Sequence, residues 1–309
     1  MASSGSIFCA MNSNASLVVP DREKLTVFLR VLARLPASLL YGLATLLYYG
    51  LFRVARLRVR LVEEQLARAF PELGAASRAA LVDAFLRQLA DVLVEVVWGF
   101  AISPAELAER VTIGGAEALR ERLQAGQSVL VLTAHHRNWE WLLLALSQQL
   151  QFPVEALYKP VKNGRVDAAL RKMRARFGAH LVPAKDVLPA VVGRRAGARA
   201  IAMVADQVPT SSPHRIWTRF LNRDTAFYRG AELIAQAADL PVFFVAMYRL
   251  ARGAYRVQVE LLVDRPAGSE ASREIMRRYA ERLEALVRCD PSGWLWSHNR
   301  WKLPKPLYA

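Results

Sequence analysis

The sequence predicts an α/β fold in which a mostly parallel central sheet is flanked by helices and preceded by an N-terminal hydrophobic, membrane-associating helix. Three observations carry that expectation. Beyond Gly114, short apolar runs alternate with stretches of helical spacing; residues 58–101 are helical in pattern; and residues 35–52 are uncharged between arginines. Strands that alternate with helices build a parallel sheet covered on both faces.

From the N-terminus, residues 1–24 are expected to be a flexible leader, Ser- and Asn-rich at first, with Met11 as an alternative start. No apolar segment precedes Cys9, so "SIFC" is a poor lipoprotein signal. Residues 25–60 form the membrane-associating segment around "LPASLLYGLATLLYYGLF" at 35–52, flanked by Arg30 and Arg34 before it and Arg53, Arg56, Arg58 and Arg60 after it. As a helix this stretch is roughly 27 Å long at about 1.5 Å per residue, just short of the hydrocarbon thickness. Its tyrosines and arginines suit an interfacial anchor whose guanidinium groups snorkel to phosphates. A buried core helix is the alternative reading of the same run. Pro36 and the internal position argue against a cleaved signal peptide.

Residues 61–309 read as one domain. Its helical opening, "RVRLVEEQLARAF", stops before Pro71, and "ASRAALVDAFLRQLADVLVEVVWGF" resumes with apolar residues at threes and fours. Strands are expected at 128–133, 153–158, 179–183, 199–206, 241–248 and 255–261. "WEWLLLALSQQL", "RVDAALRKMRARFG" and "GAELIAQAADL" supply helices between them. Ligands of such sheets sit beyond the carboxyl ends of the strands, where "VLTAHH" lies.

The chain of 309 residues carries 42 Lys+Arg against 27 Asp+Glu, a formal net charge of +15. That excess admits nucleic acid, an anionic membrane face, or acidic carriers and substrates. Neither aromatics interleaved with basic residues nor a recognition-helix motif is present, so nucleic acid is not an expected partner. Two cysteines, Cys9 and Cys289, stand alone and offer no disulfide framework, which fits a reducing compartment.

Chemistry concentrates in "VLTAHHRNWEWL" at 131–142. With "SVLVLT" as a strand and Asn138 as the N-cap of a helix starting at Trp139, both histidines fall on the intervening turn and Glu140 on the first helical turn. Across a turn, His135 and Glu140 can converge. A carboxylate on one imidazole nitrogen fixes the tautomer and leaves the other nitrogen to take a proton from a hydroxyl. Two polar histidines on a surface turn are the plainer alternative. Adjacent histidines do not easily chelate one ion, and the spacing is not that of a zinc peptidase, so no metal is expected. Neither a G-x-S-x-G elbow nor a glycine-rich nucleotide loop occurs, and no cofactor is indicated.

These residues resemble the bacterial lipid A biosynthesis (lauroyl/myristoyl) acyltransferases, within the lysophospholipid acyltransferase-like superfamily. The family motif is a histidine, four residues, then Glu or Asp, often H-F-G-N-W-E; "HHRNWE" matches from His135 to Glu140, with His136-Arg137 in place of Phe-Gly. The likeness covers roughly residues 25–302, through "AFPEL" at 69–73, "YKPVKNGRVDAALRKMRARFG" at 158–178, "MVADQ" at 203–207, "FLNRDTAFYRG" at 220–230 and "PSGWLWSHNRWK" at 291–302. Asn222 stands where a glycine is common.

The resemblance implies a glycerolipid acyltransferase-like fold and transfer of a fatty acyl chain from acyl carrier protein thioester to a hydroxyl of a membrane lipid acceptor. The place would be the cytoplasmic face of the bacterial inner membrane, with no metal or nucleotide. It makes His135 the base and Glu140 its orienting carboxylate, with Arg165, Asp206, His136, Arg137 and Asn138 as substrate-binding residues and backbone N–H groups or an arginine as oxyanion donors. Between Lys159 and Arg176, seven Lys/Arg stand against Asp167 alone, a rim suited to phosphates and to an acidic carrier, although a solvated helix face explains most of them equally well. The same chemistry on an ornithine or other aminolipid, a glycolipid or a lysophospholipid is the competing expectation, and a non-catalytic basic membrane-binding protein is the remote one.

Overall fold

The computed structural model describes residues 19–184, 197–209, 215–266 and 274–303. The expected leader therefore lies outside the described residues through residue 18; the backbone enters helix α1 at Val19–Leu32. Pro36 separates it from α2, Ala37–Leu47, which runs on into a π-helical stretch, Tyr48–Val54. Ala37–Val54 is long and apolar enough to cross a membrane, by length and composition, and 22% of it is buried. Leu40, Ala44, Tyr48 and Phe52 form its buried stripe, at intervals of four residues. Leu39, Leu46, Tyr49 and Val54 stay exposed, so the alternative of a buried core helix does not describe this segment.

Helices α3 (Val59–Ala69) and α4 (Ala75–Trp98) follow as the spacing predicts. Then come α5 (Pro104–Arg110), β1 (Val111–Gly114), α6 (Glu117–Gln124), β2 (Val129–Thr133), α7 (Trp139–Gln149) and β3 (Val154–Tyr158). The chain continues through α8 (Gly164–Arg174), β4 (His180–Pro183), β5 (Ala200–Val204), β6 (Arg215–Phe220), β7 (Arg223–Tyr228) and α9 (Gly230–Ala238). β8 (Val242–Ala251), β9 (Ala254–Val263) and α10 (Ile275–Cys289) complete it.

Seven strands form one sheet in the order β1-β9-β8-β2-β5-β3-β4, parallel except for the antiparallel β8–β9 pair. Alternate residues of the central strands feed two cores. Leu130, Leu132, Ile201 and Phe244 face α3, α4, α9 and α10, while Val129, Val131, Ala200 and Phe243 face α5, α6 and α7. β2 therefore leaves through a helix on one face toward β3, and β5 continues through α9 on the other face toward β8. Diverging exits from adjacent strands open a crevice at their carboxyl ends.

Outside this sheet, β6 and β7 pair as a hairpin that the strand pattern does not predict. Its two-residue turn, Leu221-Asn222, has φ of 48° and 61°. Two positive φ values match the twist of hairpin strands, and asparagine tolerates this region better than other non-glycine residues. That accounts for Asn222 in a position where the family commonly has glycine; its side chain also donates to the Ala69 carbonyl at 3.1 Å.

Contrasting substitutions test which apolar residues hold the fold. Phe243→Ala in the buried sheet is expected to cost about 3–5 kcal/mol in urea unfolding. The double variant Leu39→Ser/Leu46→Ser, on the exposed face of α2, should stay within about 1 kcal/mol of wild type.

Candidate active site

The register of two neighbouring strands places the central pair. β2 and β5 are parallel with Thr133 opposite Val204, and the Ala205 N–H donates to the Thr133 carbonyl at 3.0 Å. Two residues past each strand end stand His135 and Asp206, and they meet. Asp206 Oδ1 lies 2.6 Å from His135 Nδ1, and Oδ2 accepts the His135 backbone N–H at 3.0 Å and the Trp294 indole N–H at 2.8 Å.

Asp206 is 3% exposed. Burial by itself would raise its carboxyl, but the charge and hydrogen bonds of His135 and the Trp294 indole outweigh it and hold the group at about 2. An ionised carboxylate only accepts, so His135 Nδ1 carries a proton and Nε2 is the nitrogen left to face the open side. Nε2 faces the Gln207 side-chain amide nitrogen at 3.2 Å, and the Trp139 ring stands edge-on with centroids 5.0 Å apart. This is the arrangement of a general base.

The expected contact between His135 and Glu140 is not formed. Arg174 of α8 takes both oxygens of Glu140, with Nε at 2.7 Å and Nη2 at 2.5 Å. The reason is local: Asn138 caps α7 by accepting the Trp141 N–H at 2.9 Å, and the first helical turn then aims Glu140 toward α8. With Glu140 5% exposed, this bidentate pair ties α7 to α8.

His136, Arg137 and Asn138, expected as substrate-binding residues, are 2%, 8% and 0% exposed, and their polar groups bond within the protein. The chain at His136 bridges to Trp294 of the C-terminal segment, with the Arg137 N–H donating to the Gly293 carbonyl at 2.8 Å and the Leu295 N–H to the His135 carbonyl at 3.0 Å. His136 lies between the carbonyls of Met247 and Asp290, and burial pushes its pKa down against the pull of the Asp290 carboxylate. Arg137 sits at φ 56°, the backbone region that glycine adopts freely, in the place where the family motif carries glycine. Its guanidinium is spent on the Asp290 carboxylate, on Gln88 and, at 3.3 Å, on the Ser292 hydroxyl.

Behind the turn lies Glu95 of α4, 0% exposed. It accepts from Asn138 Nδ2 at 2.8 Å, the Tyr255 hydroxyl at 2.6 Å and the Tyr41 hydroxyl at 2.9 Å, and its carbonyl accepts the Trp141 indole at 2.8 Å. Burial raises its carboxyl pKa, against hydrogen bonds that favour the ionised form. Through Tyr41 the apolar α2 is connected to the residue that caps the catalytic helix.

Arg165 stands exposed in the first turn of α8, nine residues before Arg174, roughly 13 Å away along the helix at about 1.5 Å per residue. No described hydrogen bond joins it to the central pair. Sequence reasoning passed over Gln207, Glu95 and the C-terminal contributors Trp294 and His298. His298 has its pKa pushed down to about 4, first by burial and then by His135, Arg300 and Lys302 against Asp206, and its Nε2 has no hydrogen-bond partner among the described residues. The available signal was position: "VLTAH" and "MVAD" each carry an ionisable residue two places beyond a strand.

The family model described as bacterial lipid A biosynthesis acyltransferase matches residues 25–303. No curated protein sequence gives a match.

Ionised Asp206 stabilises the fold above the unfolded carboxyl pKa of 3.8, and that contribution is lost as pH falls through about 2. The shift of nearly two units corresponds to about 2 kcal/mol. The unfolding free energy from urea titrations between pH 5 and pH 2 should fall further for wild type than for Asp206→Asn by about that amount.

Proposed function

Because the chain belongs to the bacterial lipid A biosynthesis acyltransferases, we propose that it moves a fatty acyl chain from an acyl carrier protein thioester to a hydroxyl of a lipid A precursor, with His135 as base and Asp206 as its orienting carboxylate. The observation that carries the mechanism is the 2.6 Å contact between Asp206 and His135 Nδ1 at the carboxyl ends of adjacent parallel strands.

The acceptor hydroxyl binds at His135 Nε2 and loses its proton there as its oxygen attacks the thioester carbon. Imidazolium formed in this step is stabilised by the ionised carboxylate on Nδ1, which also prevents the ring from turning. Collapse of the tetrahedral intermediate breaks the C–S bond, and the departing thiolate takes the proton from Nε2. A base positioned in this way is worth about 10²–10⁴ in rate.

Two surface features support the choice of partners. Lys159, Lys162, Arg165, Arg171 and Lys172 are exposed on and before α8, a positive rim that favours encounter with an acidic carrier and with acceptor phosphates. Val27, Phe28, Val31, Leu39, Leu46, Tyr49 and Val54 are exposed on the N-terminal helices, and Arg53, Arg56, Arg58 and Arg60 follow them. An apolar face edged by arginines suits the cytoplasmic face of an anionic inner membrane.

Acyl transfer from acyl carrier protein should fall about 10²–10⁴-fold in His135→Ala and strongly in Asp206→Asn, without loss of folding by circular dichroism. Full turnover in His135→Ala would remove the base assignment. A larger kcat loss in Glu140→Gln than in Asp206→Asn would return the orienting role to Glu140. The acceptor is tested in a deletion strain by mass spectrometry of extracted lipids. Lipid A lighter by one acyl chain is expected, and a loss confined to aminolipids, glycolipids or phospholipids would name a different acceptor.

A further inference from the structure

We infer that Gln207 is a catalytic residue: its side-chain amide donates the hydrogen bond that holds the oxyanion of the tetrahedral intermediate. The inference rests on the base role of His135 given above and adds a group that neither the composition nor the family motif assigns.

The tautomer of His135 decides how this amide is oriented. With Nδ1 held by the Asp206 carboxylate, the neutral, base form of His135 has its lone pair on Nε2. The Gln207 group 3.2 Å from that lone pair must then be the NH2, and one of its two protons points at Nε2. Its second proton has no hydrogen-bond partner among the described residues. Gln207 is exposed, so the amide sits on the open side of the imidazole, where substrate enters.

Other donors around His135 are committed. The His135 backbone N–H bonds to Asp206, the Arg137 N–H to Gly293, and the Trp294 indole to Asp206. The Trp141 N–H is taken by the Asn138 cap. Arg137 is buried on Asp290 and Gln88, and Arg300, 2% exposed, donates through Nη2 to the Ala226 carbonyl at 2.6 Å, while its buried Nε has no partner among the described residues. Apart from that Nε, those donors are already spent, whereas the exposed Gln207 amide stands directly beside His135 Nε2.

The sequence of events follows. An incoming acceptor hydroxyl displaces the amide from Nε2 and gives Nε2 its proton, while the hydroxyl oxygen forms the C–O bond. The carbonyl π pair moves onto oxygen, and the displaced Gln207 N–H donates to that oxyanion. The pair returns as the C–S bond breaks, and the thiolate leaves with the proton from Nε2. Until substrate arrives, the same amide covers the base.

The test uses the full chain with acyl carrier protein thioester and lipid A precursor, comparing Gln207→Ala and Gln207→Glu with His135→Ala. Loss of one oxyanion donor predicts a kcat lower by about 10²–10³-fold in Gln207→Ala, with KM for both substrates changed by less than about threefold. Gln207→Glu, similar in shape but lacking the donor, should lose at least as much. A trifluoromethyl ketone analogue of the acyl donor, whose hydrate or adduct presents the oxyanion, should bind Gln207→Ala more weakly by the factor lost in kcat/KM. The inference is overturned if Gln207→Ala keeps kcat within about threefold, or if analogue affinity is unchanged; either result moves the oxyanion elsewhere, such as the free first-turn amides of α7. An inactive His135→Ala beside an active Gln207→Ala sinks only the Gln207 assignment, whereas an active His135→Ala sinks the underlying base mechanism.

Discussion

Three donors converge on the carboxylate of Asp206: the ring and the backbone N–H of His135, and the indole of Trp294. They come from two other parts of the chain, the turn after β2 and the C-terminal segment, while the carboxylate itself follows β5. The contact therefore depends on the sheet register, on the turn after β2, and on the return of the C-terminal segment across the site. A buried carboxylate without such donors would cost several kcal/mol and would be protonated instead. Folding the three segments together is thus the same event as ionising Asp206, and ionised Asp206 is what gives His135 its usable tautomer.

The same constraint recurs one layer deeper. α4 buries Gln88, Asp91 and Glu95 on one face, at 4%, 5% and 0% exposure. Gln88 receives Arg137 and, at 3.2 Å, Arg249; Asp91 receives Arg249 and Arg252; Glu95 receives Asn138, Tyr41 and Tyr255. This polar stripe fixes the turn that carries His135 from the α4 side. It also connects that turn to α2, since Arg252 lies over the Tyr41 ring at 4.2 Å. Part of the apolar N-terminal helix is thereby made a structural member of the site.

Much of the framework was legible because hydrophobic periodicity reports burial directly. The six expected strands and the helices after β2, β3 and β7 follow from runs such as "SVLVLT" and "GAELIAQAADL". β1 is only four residues long, and β6–β7 lies outside the main sheet with little buried on β6, so neither leaves a strong pattern. In the site, His135 was visible as a residue just past a strand, and Asp206 was expected as a substrate-binding residue but not as the partner of His135. Spacing along the chain pointed to Glu140, whereas Asp206 is brought in by a neighbouring strand whose order in the sheet cannot be read from one segment. Gln88, Asp91 and Glu95 were hidden for a related reason: polar residues at helical spacing read as a solvated face unless the donors that satisfy them are known.

Arg137 and Gly293 are coupled. A Cβ at Gly293 would meet the His136 ring at 2.5 Å and Arg137 Nε at 2.8 Å, while Arg137 holds a left-handed backbone that its pairing with Asp290 offsets. Substituting any one of these positions alone leaves a steric overlap, an unpaired buried charge, or a strained turn with nothing to sustain it. The group therefore acts as a unit: a change at one position needs a compensating change at another.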